Sequence, residues 1–160
     1  MLTYQNNKIE DTFLYKIKKV INDQKSRISW PEYFMTLAYT ASIRSPCERL
    51  HVGSIIEKDN RIVSTGYNGF PAKSPHKSII RNNHEQNTIH SEQNAIADAA
   101  KRGVPIDDAT LYVTHYPCIN CAKIIIAAGI KKIIYAEDYK NDPIVGELLI
   151  NSKVEIIKFG

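Results

Sequence analysis

A chain of 160 residues is the length of one domain and is enough to bury a real core. Its 43% hydrophobic and 24% charged residues are ordinary for a globular fold, no apolar run reaches membrane-spanning length, and the N-terminus lacks the basic-then-apolar order of a signal peptide. The net charge of +4 suits a phosphorylated small molecule, and without a dense basic patch it gives nucleic acid no support as a partner. Three cysteines, two of them three residues apart, argue against a disulfide scaffold and for a reducing, cytoplasmic setting.

In chain order, residues 1–28 read as an N-terminal extension. Ile9, Phe13, Ile17, Val20 and Ile21 recur at helical spacing among lysines, predicting a short amphipathic helix that serves as a packing arm. The body of the chain, 29–160, opens on Ser29 and Glu32 in a capping-box pattern around Pro31. The helix that follows is expected to run to Arg44 and to bury Phe34, Leu37, Ala38 and Ala41. His51–Glu57 and Arg61–Tyr67 read as a hairpin turning at Lys58-Asp59-Asn60. Asn68-Gly69 and Phe70-Pro71 end it, and the polar stretch 72–88 reads as a long functional or mobile loop. A helix is predicted from His90 to Gly103, a strand over 109–114, and a helix over 118–128 ended by Gly129. A strand over 130–136, a helix over 143–151 and a last strand over 154–159 complete the chain. Strands joined through helices pair in parallel, so the expected product is an α/β fold. It has three layers, with a mixed five-stranded sheet flanked by helices and its last strands parallel.

The stretch from His90 to Cys121 carries the chemistry. His90, Cys118 and Cys121 offer one imidazole and two thiolates, and three protein ligands on zinc leave a fourth tetrahedral position open for water. Each half alone is weak: a lone C-x-x-C is as often a redox pair or half of a structural site, and a lone H-x-E is ordinary surface sequence. Together, H-x-E followed by P-C-x-x-C is an established signature of zinc nucleobase deaminases, not a deduction from spacing. Zinc lowers the pKa of bound water from about 15.7 to about 7. Both ligand groups start predicted helices, whose N-terminal potential favours thiolates at Cys118 and Cys121. Glu92 is the expected proton shuttle, taking a proton from the zinc-bound water and passing protons to the pyrimidine N3 and to the departing amine.

The run HSEQNAIADAAKRGVPIDDATLYVTHYPCINCAKIIIAAGIKKIIYAEDY, with the earlier VGSIIEKDNRIVSTGYNGFP, resembles the deoxycytidylate (dCMP) deaminase family of the cytidine deaminase-like superfamily. The resemblance covers residues 30–159. It implies hydrolysis of dCMP to dUMP and ammonia, feeding thymidylate synthesis, with one catalytic Zn2+ per chain on His90, Cys118 and Cys121 and with Glu92 as shuttle. It also implies that Asn68, in GYNG, bonds the deoxyribose 3′-hydroxyl. Ser91 stands where most relatives have alanine, at the position whose backbone N–H faces the pyrimidine carbonyl. Because the backbone does that work, the serine is expected to be tolerated. Lys101 falls where some relatives place an arginine near the phosphate, and Arg49, Lys73, Arg81 and Tyr139 are further phosphate candidates. Lys73 departs from the glycine that many relatives carry there. The family implies a homohexamer, activated by dCTP and inhibited by dTTP, and in some members a second, structural zinc, for which Cys47, His76 and His84 are the candidates. The alternatives are another deaminase of the superfamily, acting on dCTP, cytosine, guanine, a riboflavin precursor or tRNA adenosine, or a non-catalytic zinc-binding module.

Overall fold

In the computed structural model, residues 12–82 and 84–160 are described, the side chain of His84 excepted. Helix α1 (Phe13–Asp23) starts where the Thr12 hydroxyl accepts a hydrogen bond from the Tyr15 N–H at 3.2 Å, and it buries none of its residues. Ile9, the first residue of the predicted amphipathic pattern, lies outside the described residues. Helix α2 (Trp30–Ser42) is capped as the sequence predicts: the Ser29 hydroxyl accepts from the Glu32 N–H at 3.3 Å, with Pro31 in the first turn. It ends two residues before Arg44. Phe34, Ala38 and Ala41 are buried as expected, whereas Leu37 is only half-buried and Met35 takes the inner position instead.

Strands β1 (Gly53–Lys58) and β2 (Arg61–Tyr67) form the antiparallel hairpin. Its two turn residues, Asp59 and Asn60, have φ of 54° and 59°, the left-handed pair that matches the twist of a two-residue hairpin. The stretch 72–88 departs from the expected loop, because it folds a small hairpin of its own, β3 (Ile80–Arg81) with β4 (His84–Glu85). Glu85 makes this possible, since its carboxylate accepts from the Ser78 hydroxyl and from the backbone N–H of Ile79 and Asn87. The Asn87 amide closes the base by donating to the Lys77 carbonyl at 2.7 Å.

Helix α3 (Ser91–Arg102) stops at Gly103, which takes the left-handed φ of 66°. Strand β5 (Thr110–His115), helix α4 (Ile119–Ala127), strand β6 (Lys132–Glu137), helix α5 (Pro143–Asn151) and strand β7 (Glu155–Lys158) follow. The main sheet has five strands in the order β2-β1-β5-β6-β7, with β1 antiparallel to β2 and β5, and β5, β6 and β7 parallel. Its register sorts the core into two layers. Ile55, Tyr112 and Ile134 stand side by side across three strands and pack on Phe34, Met35 and Ala38 of α2. One step along, Ile56, Leu111 and Ile133 face the opposite way and meet α3, α4 and α5 through Ala95, Ala99, Ile125, Val145 and Leu149. The result is the expected three-layer α/β architecture. Among the described residues no helix is long and apolar enough to cross a membrane.

Glycine is required where α3 lies on β2. A Cβ at Gly66 would stand 2.1 Å from the Ser91 carbonyl oxygen and 2.6 Å from the Ala95 nitrogen, both backbone atoms of α3. The Asn94 amide, bonded to the Tyr67 carbonyl at 2.9 Å, and the Ser64 hydroxyl, bonded to the Ala95 carbonyl at 2.7 Å, hold the same contact. Gly66→Ala is therefore expected to cost about 2 kcal/mol or more of stability, read as a lowered midpoint in urea unfolding.

Candidate active site

Two helix starts meet at the carboxyl end of β5. His90 is the N-cap of α3, and its backbone N–H is held by the Gln93 side-chain oxygen at 3.4 Å. The residue before it, Ile89, exchanges two backbone hydrogen bonds with Gly69 (3.1 and 2.8 Å), which ties the GYNG segment to the histidine. Cys118 is the N-cap of α4, and Cys121 is the third residue of that helix and fully buried. One turn of α4 thus carries both sulfurs, while the crossover from β5 brings them beside α3.

His90 Nδ1 lies 3.5 Å from Cys118 Sγ and 3.3 Å from Cys121 Sγ, and all three ligand atoms fall within 4.8 Å of one another. A tetrahedral zinc with ordinary Zn–S and Zn–N bonds sets an N···S edge of about 3.5 Å, so the donor set fits zinc in both chemistry and spacing. Among the described residues this is the one such group of three. Cys47 is buried beside Ser45, and His76 stacks on Phe70 with ring centroids 5.2 Å apart, so neither joins a cluster there. The third candidate of that set, the His84 side chain, lies outside the described residues.

Without metal the two cysteines divide their proton unequally. The hydrogen bond from Cys121, followed by that from His90, brings the Cys118 thiol down to about 3, and the same contact with Cys118 pushes Cys121 up. The hydrogen bond to Cys118 raises His90 against the effect of its burial.

Glu92, in the first turn of α3, is 4% exposed, and burial raises the pKa of its carboxyl. A carboxyl group that exchanges its proton nearer to neutrality is what a shuttle requires. It opens onto a cleft of about 530 Å³ that is also lined by His90, Cys118, Ser91, Asn68 and Tyr139. Six of the eight expected metal, acid–base and substrate residues thereby share one cavity, with Cys121 packed behind them against His90.

Asn68 is buried and uses its side chain on the chain itself. Its carbonyl oxygen accepts from the Val52 N–H and its amide donates to the Leu50 carbonyl, each at 2.8 Å. It thus fixes one wall of the cleft. Lys101 is not brought to the cleft. It sits exposed in the last turn of α3, about 15 Å along the helix from His90. Lys73 and Arg81 are exposed as well and do not line the cavity.

Tyr139 does reach it. Its ring meets His115 edge-on at 6.1 Å, with the Arg49 guanidinium and the Lys140 ammonium 5.9 and 5.8 Å from its centroid. Lys140 and His115 are cleft residues that the sequence reading passed over. His115 is held by Thr114 at 2.9 Å and faces Glu137 at 3.4 Å, and burial lowers its pKa. Neither residue belongs to a motif. The only hint was their position, just before P-C-x-x-C and just after strand β6.

Comparison with known proteins agrees with this geometry. Residues 28–137 match the family model described as the cytidine and deoxycytidylate deaminase zinc-binding region. The chain is 47% identical over 134 residues to ComE operon protein 2 of Bacillus subtilis, covering 81% of this chain and 71% of that protein. It is 36% identical over 165 residues to the deoxycytidylate deaminase of Enterobacteria phage T2, covering 76% of this chain and 88% of the phage enzyme. Among solved structures, the dCMP deaminase of cyanophage S-TIM5 in complex with dCMP and dUMP superposes with a TM-score of 0.75 at 32% identity, over 84% of this chain and 99% of that one. The chain is a deaminase and belongs to the cytidine and deoxycytidylate deaminase family.

Proposed function

We propose that this chain hydrolyses dCMP to dUMP and ammonia, using a zinc ion held by His90, Cys118 and Cys121. The observation that carries the proposal is the convergence of those three ligand atoms with a buried carboxyl, Glu92, on one cleft. The choice of dCMP is supported by the names of the phage T2 relative and of the cyanophage structure, which holds dCMP and dUMP. A zinc ion bound there would supply hydroxide from water at neutral pH.

The residues of the chain do the rest. Glu92 takes a proton from the attacking water and gives it to ring N3 as the C4–O bond forms. It then takes the proton left on that oxygen and gives it to the amino nitrogen, and the C4–N bond breaks with ammonia leaving. The backbone N–H of Ser91, at the start of α3, faces the pyrimidine carbonyl, and Asn68, already fixed by Leu50 and Val52, takes the 3′-hydroxyl. Arg49 and Lys140, both beside the Tyr139 ring, form the cationic end of the cleft and receive the 5′-phosphate. Lys101, which the resemblance suggested for that contact, is too far along α3 to make it in its own cleft.

The reading extends to a cytoplasmic homohexamer, responsive to dCTP and dTTP, on the strength of the family resemblance. The unpaired thiols of Cys118 and Cys121 fit a reducing compartment. Exposed apolar side chains on α5, such as Ile144 and Ile150, are the kind of surface that subunit contacts cover.

Three outcomes are expected. Purified protein should carry one zinc per chain by metal analysis, Cys121→Ala should lose it, and Cys47→Ala should keep it. Glu92→Gln should retain zinc and fold while ammonia release from dCMP falls by a factor of at least about 10². Full turnover by that variant would sink the mechanism. Arg49→Ala should raise the KM for dCMP about tenfold with little change in kcat, because a phosphate contact is made equally in ground and transition states. Deoxycytidine and cytosine, assayed beside it, should show no such dependence on Arg49.

A further inference from the structure

The mechanism uses only the backbone of Ser91, yet its side chain is fully buried and fully engaged. The Ser91 hydroxyl donates to Glu92 Oε2 at 2.9 Å and accepts from the Ser54 hydroxyl at 2.6 Å. Ser54, the second residue of β1, and Ser91 are both 0% exposed, and Glu92 is 4% exposed. The three groups therefore form a closed, one-directional chain from the sheet to the carboxyl. A hydroxyl has a single proton to give. A carboxylate oxygen only accepts, so the Ser91 proton points to Glu92 and the Ser54 proton to Ser91, and successive bonds in such a chain strengthen one another in a dry interior. The backbone allows this through Gly66, which pairs with Ser54 across β1 and β2 and lets the Ser91 carbonyl of α3 descend onto the sheet.

We infer that the Ser54–Ser91 hydroxyl pair is a positioning device for Glu92, holding one carboxylate oxygen so that the group keeps its orientation toward the cleft through both proton transfers. The inference rests on the reading of Glu92 as the shuttle. It makes Ser91 a working residue of this chain through its side chain as well as its backbone.

The test compares Ser91→Ala, Ser54→Ala, the double variant and Glu92→Gln in the zinc-loaded enzyme, by dCMP kinetics, zinc content and thermal melting. Ser91→Ala should lower kcat about tenfold, with KM unchanged within about twofold and one zinc per chain retained. Ser54→Ala should lower kcat less. Since Ser54 acts only through Ser91, the double variant should turn over no more slowly than Ser91→Ala, and should melt no lower, because Ser54→Ala removes the hydroxyl left without a partner. Losses that multiply in the double variant would overturn the inference. So would a Ser91→Ala enzyme with full kcat, or one whose defect lies in KM or in lost zinc. If Ser91→Ala does not fold, Ser54→Ala decides: a drop in kcat at constant KM supports the device and an unchanged kcat refutes it. Glu92→Gln separates this inference from the one beneath it. If that variant is inactive while Ser91→Ala is not impaired, only the hydroxyl chain is wrong; if it is active, the shuttle itself is.

Discussion

The site depends on how closely two pieces of backbone approach. Strand β2 has no side chain at Gly66, and into that gap comes the main chain of α3 at Ser91 and Ala95. The depth of that contact sets the height of the first turn of α3 above the sheet, and His90, Ser91 and Glu92 all belong to that turn or to its cap. A second constraint meets it from the other side. Parallel pairing of β5 and β6 requires a crossover, and α4 supplies it. Its start therefore falls at the carboxyl end of β5, where clefts form in sheets of this kind. His90 from the cap of one helix and two cysteines from the cap and first turn of another thus meet because each helix is placed by the sheet.

That placement also gives the electrostatics. Both helix N-termini point at the cleft, so their potential adds to the hydrogen bonds that favour negative charge on Cys118, while Cys121 keeps the shared proton. Glu92 stands in the same field, yet its deep burial dominates and raises its pKa. One region thereby holds a thiolate, Cys118, next to a carboxyl whose pKa burial raises. The two tendencies are compatible because Cys118 is half-buried while Glu92 is almost completely enclosed.

Much of this was legible in the sequence where a local rule determined the outcome. The cap of α2, the turn at Asp59-Asn60 and the stop of α3 at Gly103 each depend on a few neighbouring residues, and each stands as expected. The grouping of His90, Cys118 and Cys121 was legible because their residue types and order leave few alternatives. What escaped depended on contacts distant in sequence. Ser54 is an ordinary strand serine until α3 is laid over it, and nothing local distinguishes it. The β3–β4 hairpin is held by one carboxylate that collects three donors, so it has no hydrophobic alternation to announce it. Met35 displaced Leu37 from the inner face of α2 because facing residues of the sheet, Ile55, Tyr112 and Ile134, decide which side of the helix is covered. Lys73 has a φ of 68°, the conformation a glycine adopts without strain, and nothing in its sequence neighbourhood announces that.

The clamp at Asn68 has a chemical consequence. An asparagine followed by glycine is the dipeptide most open to spontaneous deamidation, because the glycine nitrogen can attack the side-chain carbonyl and expel ammonia through a cyclic imide. Here that attack is blocked at both ends. The Gly69 nitrogen is committed to the Ile89 carbonyl at 3.1 Å, and the Asn68 amide is held between Leu50 and Val52. Ring closure has to break the strand bridge that carries His90 as well as the clamp that shapes the cleft. The fold that removes ammonia from a substrate thus keeps its own most labile amide from losing it, and the wall of the site ages no faster than the fold opens.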